Sequence, residues 1–197
     1  MNKANKITMS RIVLSVIIII ILLFPFDQMG MDIPTYLVHG NIVMDLRYII
    51  SGILFIIASL TDFLDGYVAR KYNLVTDFGK MVDAISDKLL TNSLIIILAC
   101  NGMISPIIAV VIVIRDIVVD SLKMLIGNKG YAVAAIPIAK VKTATLMIGL
   151  ALTLFSNIPF EFMNLRVSDF LLVLAAVLSV ISGVKYYIMA KVYITEK

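Results

Sequence analysis

Asp62-Phe63-Leu64-Asp65-Gly66-Tyr67-Val68-Ala69-Arg70 and, eight residues later, Gly79-Lys80-Met81-Val82-Asp83-Ala84-Ile85-Ser86-Asp87 decide how this chain is read. With the residues between them they carry five carboxylates, Asp62, Asp65, Asp77, Asp83 and Asp87. Asp62 and Asp65 are three positions apart, and Asp83 and Asp87 four; both spacings put side chains on one face of a helix. Gly66 and Ala69 follow on the Asp62 face, one and two turns on. Gly79 lies one turn before Asp83. Two helices facing each other here would enclose four acids in a cleft lined by small residues.

Around this acidic stretch the chain is largely hydrocarbon. Of its 197 residues, 61% are hydrophobic, against about half in a soluble domain. The expectation is an all-α integral membrane protein, one membrane-embedded domain over residues 1–197. Its net charge of +4 fits cytoplasmic loops and anionic headgroups better than nucleic acid. Cys100 is the only cysteine, which excludes an intrachain disulfide; in its apolar run it is expected to be packed and inert. Lys3, Lys6 and Arg11 precede an apolar run, as in a signal peptide. No small-residue cleavage site follows, so the segment reads as a retained first span.

Spanning takes about 20 mostly apolar residues. Six segments qualify: residues 8–26, 46–72, 78–100, 104–126, 134–155 and 170–192. A polar connector with Asp27, Asp32, His39 and Asp45 joins the first two. His39 has no ligand-like neighbour and reads as a solvated side chain. Asn101-Gly102 makes a tight turn, residues 127–130 break the chain again, and Pro159 opens a loop that runs to Asp169.

Lysine and arginine orient the spans. The side holding both termini carries Lys3, Lys6, Arg11, Arg70, Lys71, Lys80, Lys88, Lys123, Lys129, Lys140, Lys142, Lys185, Lys191 and Lys197; the other carries Arg47 and Arg166. By the positive-inside rule both termini are cytoplasmic. The acid cluster therefore opens toward the cytoplasm from a cytoplasmic membrane.

A charge inside a span costs roughly 3 kcal/mol on insertion scales, and clustered carboxylates repel. Headgroup contact, or pairing with Arg70, Lys80 and Lys88, explains single acids but not their spacing beside glycine and alanine. Divalent cations relieve the repulsion, and oxygen ligands without a His or Cys cluster favour Mg²⁺ or Mn²⁺. Two such ions beside basic residues suit a diphosphate substrate. Arg70, at the cytoplasmic end, is placed to grip a phosphate.

The pattern D-x2-D-G-x2-A-R-x8-G-x3-D-x3-D is complete as Asp62, Asp65, Gly66, Ala69, Arg70, Gly79, Asp83 and Asp87. It resembles the signature of the CDP-alcohol phosphotransferases. The resemblance implies that family's six-helix membrane fold, a homodimer, two metal ions and a reaction at the cytoplasmic membrane surface. It implies that Asp62, Asp65 and Asp83 hold the metals and that Asp87 completes the metal site and acts as general base. Gly66, Ala69, Arg70 and Gly79, with Asp62, would shape the CDP pocket. The implied reaction is attack of an acceptor hydroxyl on the β-phosphorus of CDP-diacylglycerol, with release of CMP.

Further motifs are similar to those of the family's bacterial phosphatidylglycerophosphate synthase branch: Asn5-x2-Thr8-x2-Arg11, Arg115-Asp116 and Lys140-Val141-Lys142-Thr143. They imply glycerol 3-phosphate as acceptor, with Thr8 and Arg11 among the groups at its phosphate. The residues support this independently. Arg115 lies roughly 16 Å into its span at helical rise and needs a partner or an anion. Asp116 is a poor partner, because adjacent helical residues do not face each other. Lys123, Lys140 and Lys142 would join Arg115 in a cationic pocket for a phosphomonoester. Departures from the branch's pattern are Asp116 for Glu, Asp120 for a small hydroxyl residue, Lys123 for Arg, Ala84 for Pro and Ala139 for Gly.

Two alternatives stay open. One is the same chemistry with inositol phosphate, or with phosphatidylglycerol as in a cardiolipin synthase. The other is a divalent-cation transporter, since acids in spans also suit ion passage. A pathway needs polar groups through the full depth, and residues 94–100 are almost wholly apolar.

Overall fold

The structure, a computed structural model, describes residues 3–38, 42–71, 77–128, 130–131 and 134–195; at 3–8, 27, 62–71, 77–78, 80 and 194–195 it describes the backbone alone. His39 lies outside the described residues. Helices follow the apolar segments closely: α1 (Lys3–Leu23), α2 (Leu46–Lys71), α3 (Asp77–Cys100), α4 (Pro106–Asn128), α5 (Pro137–Leu154) and α6 (Val167–Thr195).

Local chemistry sets the starts that differ from the apolar boundaries. Proline opens α4 and α5, where a missing N–H costs nothing and φ is already helical. Helix α6 begins at Val167 rather than 170 because Asn157 caps it from the preceding loop. Asn157 Oδ1 accepts from the Ser168 backbone N–H at 3.0 Å, while Nδ2 donates to Glu161 Oε2 (2.9 Å) and to the Leu165 carbonyl (2.7 Å). One orphan donor of the helix is thereby satisfied.

The connector after α1 is not simply polar. Strands β1 (Thr35–Val38) and β2 (Ile42–Asp45) pair antiparallel, with Thr35 opposite Asp45 and Val38 opposite Ile42. The short apolar runs 36–38 and 42–44 supply the strands. Asp45 then accepts from the Arg47 backbone N–H at 2.8 Å and from its guanidinium, fixing the entry to α2.

Helix α1 packs against both α2 and α3; α6 packs against α4 and α5; α2 also meets α5. The buried core runs through all six, with Ile18, Phe55, Ala58, Leu94, Leu98, Ile112, Leu146, Leu150, Leu172 and Ala175. Gly52 is needed where α2 meets the end of α5: a Cβ there would stand 2.7 Å from the Phe155 ring.

Large apolar side chains also point outward, among them Val13, Ile20, Ile53, Ile107, Ile114, Phe170, Val177 and Ile188. Cys100 is exposed as well, so the expectation of a packed cysteine is not met; it sits on the outer face of the last turn of α3. Among the described residues, Pro137–Leu154 and Val167–Tyr193 are long and apolar enough to cross a bilayer unaided; Met9–Leu23 and Leu46–Thr61 are shorter apolar stretches. The adjoining ends of α2 and α3 carry the acids and basic residues of the signature.

Candidate active site

The signature falls on two consecutive helices. Asp62, Asp65, Gly66, Ala69 and Arg70 occupy the last turns of α2; Gly79, Asp83 and Asp87 occupy the first turns of α3. The side chains of Asp62, Asp65, Arg70 and Thr8 lie outside the described residues, and with them the facing of the two acid pairs. Asp83 and Asp87 are one turn apart, Asp83 exposed and Asp87 half-buried. The Asp87 carbonyl accepts from Thr91 Oγ1 at 2.9 Å. Among the described residues no three His, Cys, Asp or Glu side chains stand together.

Arg11 reaches this face from α1. It is buried to 1% exposure, and its Nη1 donates to Asp83 Oδ1 at 2.8 Å and to Ser86 Oγ at 3.2 Å. Ser15 Oγ donates to the Arg11 carbonyl, and Ser86 Oγ to the Asp83 carbonyl. Arg11, read from sequence as a contact for the acceptor phosphate, meets one of the signature acids here. The Arg11 contact is to one carboxylate oxygen, and 55% of the Asp83 side chain stays exposed. Asp83 and Asp87 thus offer hard oxygen donors on an open face, a donor set that fits Mg²⁺ or Mn²⁺.

A second charged cluster joins α4, α5 and α6. Arg115 Nη1 donates to Asp116 Oδ1 at 2.8 Å, Nη2 to Ser182 Oγ at 2.7 Å and Nε to the Ser179 carbonyl at 3.2 Å. Lys142 Nζ donates to both oxygens of Asp116, at 2.9 and 3.0 Å. Lys142 and Asp116 are both buried. The expectation that Asp116 is a poor partner for Arg115 is overturned. Adjacent Cβ atoms diverge, but the long arginine stem bends back over α6 and brings its head to the short carboxylate. Gly183 makes room for that stem: a Cβ there would stand 3.2 Å from Arg115 Cγ.

Lys123 lies on the same helix, its Nζ 4.9 Å above the Tyr186 ring, with the Arg115 guanidinium 5.7 Å from that ring. Such placement attracts a cation to the ring face. The Tyr186 hydroxyl accepts from the Ile136 backbone N–H at 3.1 Å and so ties α6 to the start of α5. Lys140 is exposed on α5. Asp120, the extra acid of α4, pairs with Lys88 of α3. Of the four residues expected to form a cationic pocket, the structure joins Arg115 and Lys142 through Asp116, brings Lys123 beside them through Tyr186, and leaves Lys140 outside.

Ser179, Ser182 and Tyr186 were not singled out by sequence reading. Their spacing of three and four places them on one face of an otherwise apolar helix. That polar stripe is the signal that could have found them.

Residues 1–183 match the CDP-alcohol phosphatidyltransferase family. The chain is 38% identical over 186 residues to the CDP-diacylglycerol–glycerol-3-phosphate 3-phosphatidyltransferase of Bacillus subtilis (strain 168), covering 94% of this chain and 93% of that protein. It is 36% identical over 162 residues to the protein of the same name in Rickettsia bellii, covering 82% and 90% of the two chains. For that of Rickettsia typhi the identity is 34% over 193 residues, covering 98% of each. The match takes in both charged clusters and all six helices, and the chain belongs to the CDP-alcohol phosphatidyltransferase family.

Proposed function

We propose that the protein is a six-span membrane enzyme that transfers the phosphatidyl group of CDP-diacylglycerol to the hydroxyl of sn-glycerol 3-phosphate. The products are phosphatidylglycerophosphate and CMP. The observation that carries this reading is the complete eight-position signature on adjoining ends of α2 and α3, in a chain whose similar relatives bear that activity in their names. The outward apolar faces of α1, α2, α4 and α6 support a bilayer setting. Charge asymmetry supports cytoplasmic termini and a cytoplasmic site. One domain over 1–197, working as a homodimer, completes the reading.

In the mechanism, Asp87 accepts the proton of the acceptor hydroxyl as its oxygen bonds to the β-phosphorus and the bond to CMP breaks. Asp62, Asp65, Asp83 and Asp87 would hold Mg²⁺ or Mn²⁺, two ions, which would neutralise the diphosphate charge during the displacement. Gly66, Ala69 and Gly79 let the nucleotide approach the helix backbone, and Arg70 holds a phosphate. Arg115 and Lys142, with Lys123 and Lys140 toward the rim, attract the phosphate of the acceptor. Thr8 and Arg11 lie on α1, which packs against both signature helices.

A small phosphomonoester dianion is favoured over phosphatidylglycerol, a lipid with a singly charged phosphodiester, by the Arg115–Asp116–Lys142 cluster, whose two cations outnumber its one carboxylate. The purified protein in detergent, given CDP-diacylglycerol and Mn²⁺, is expected to release CMP only when glycerol 3-phosphate is added. Release with inositol phosphate or phosphatidylglycerol instead would reassign the acceptor. No release with any acceptor would reject the enzyme and leave the cation transporter.

A further inference from the structure

Asp116 is buried, and three hydrogen bonds from two cations converge on it. Its neighbours come from three helices: Arg115 on its own α4, Lys142 on α5 and, through Arg115, Ser182 and the Ser179 carbonyl on α6. Two cations held side by side, Lys142 buried and Arg115 partly so, repel more strongly than in water. A carboxylate between them cancels one charge and fixes the direction of both heads. The cluster keeps a net positive charge, and both heads have N–H donors beyond those Asp116 and α6 use. Resting on the reading that this cluster receives the acceptor, we propose that Asp116 is the positioning residue of the acceptor site. It holds the Lys142 ammonium and the Arg115 guanidinium in one fixed array that a phosphomonoester dianion meets ready-made, and Ser182 steadies the same array from α6.

A phosphate pocket assembled from two long, free cations would lose their side-chain freedom at each binding event. An array locked beforehand loses little, which is the benefit of preorganisation. Removal of the carboxylate leaves the cations in place but splayed. The effect then falls on acceptor binding, whereas a merely structural role would show equally toward both substrates.

The test uses the full-length purified protein, with CMP release followed against each substrate in turn. Wild-type turnover with glycerol 3-phosphate reports on the acceptor reading alone, and its absence rejects that reading. Given wild-type turnover, Asp116→Asn is expected to raise the KM for glycerol 3-phosphate about tenfold or more and leave that for CDP-diacylglycerol within about twofold. Asp116→Glu is expected to recover most of the loss, because it restores the charge. Ser182→Ala, a milder change that spares the ion pairs, is expected to raise the same KM about threefold. A glycerol 3-phosphate KM within twofold of wild type in Asp116→Asn, or equal shifts for both substrates, overturns the assignment. If Asp116→Asn does not fold, Ser182→Ala decides in the same way, with no selective rise overturning it.

Discussion

Asp87→Asn is expected to stop transfer while leaving the protein folded and still able to take up a divalent ion. The substitution keeps the shape of the side chain and removes its basicity. Asp87 is half-buried, and its main-chain carbonyl bond from Thr91 does not depend on the carboxylate. The helix should therefore survive unchanged. An amide cannot take the proton of the acceptor hydroxyl. Loss of a general base costs typically 10²–10⁴-fold in rate, so kcat for CMP release should fall by about that factor. The amide oxygen is still a ligand, although a weaker one, so Mn²⁺ binding followed by calorimetry should weaken without vanishing. A kcat within twofold of wild type rejects the base assignment. A complete loss of Mn²⁺ binding with normal folding would make Asp87 a metal ligand before anything else.

Much of this was legible in the chain. Apolar length and the Asn101-Gly102 turn gave the order of the helices, because a hydrocarbon segment of spanning length has few alternatives to a helix. The placement of the signature on adjoining helix ends followed from the 3,4 spacing of the acids. What was hidden depends on groups far apart in sequence. The hairpin of β1 and β2 was read as a polar connector because its strands are four residues each and depend on each other for pairing. Asp116 was set aside by a rule about where Cβ atoms point, which holds for short side chains and fails for an arginine that can bend back. Arg11 was expected at the acceptor phosphate; nothing within its own helix reveals that it meets Asp83, 72 residues on.

The Arg11–Asp83 contact makes a second large effect separable from simple damage. Asp83→Ala is expected to abolish turnover, at least about 10³-fold, because metal stabilisation of transferring phosphoryl charge is worth several kcal/mol. It should also lower stability. Arg11 is 1% exposed, and truncating one partner of a buried charge pair leaves the other charge uncompensated. The cost is reduced by the exposure of Asp83, which lets water reach the pair. A drop in Tm alone could therefore be mistaken for the reason that activity disappears. Arg11→Met removes the buried cation and leaves Asp83, which is exposed enough to remain solvated. The double variant, Arg11→Met with Asp83→Ala, lacks both charges and should regain much of the Tm lost in Asp83→Ala, as expected for coupled neighbours. It should regain none of the CMP release, because the carboxylate that holds the metal is still missing. If activity returns together with stability, Asp83 serves only as the counter-ion of Arg11. The same set of proteins decides what Arg11 does. A role at the acceptor phosphate predicts a selective rise in the glycerol 3-phosphate KM of Arg11→Met. A role in holding Asp83 predicts weaker Mn²⁺ binding with that KM unchanged, and the 2.8 Å contact to Asp83 Oδ1 favours the second outcome.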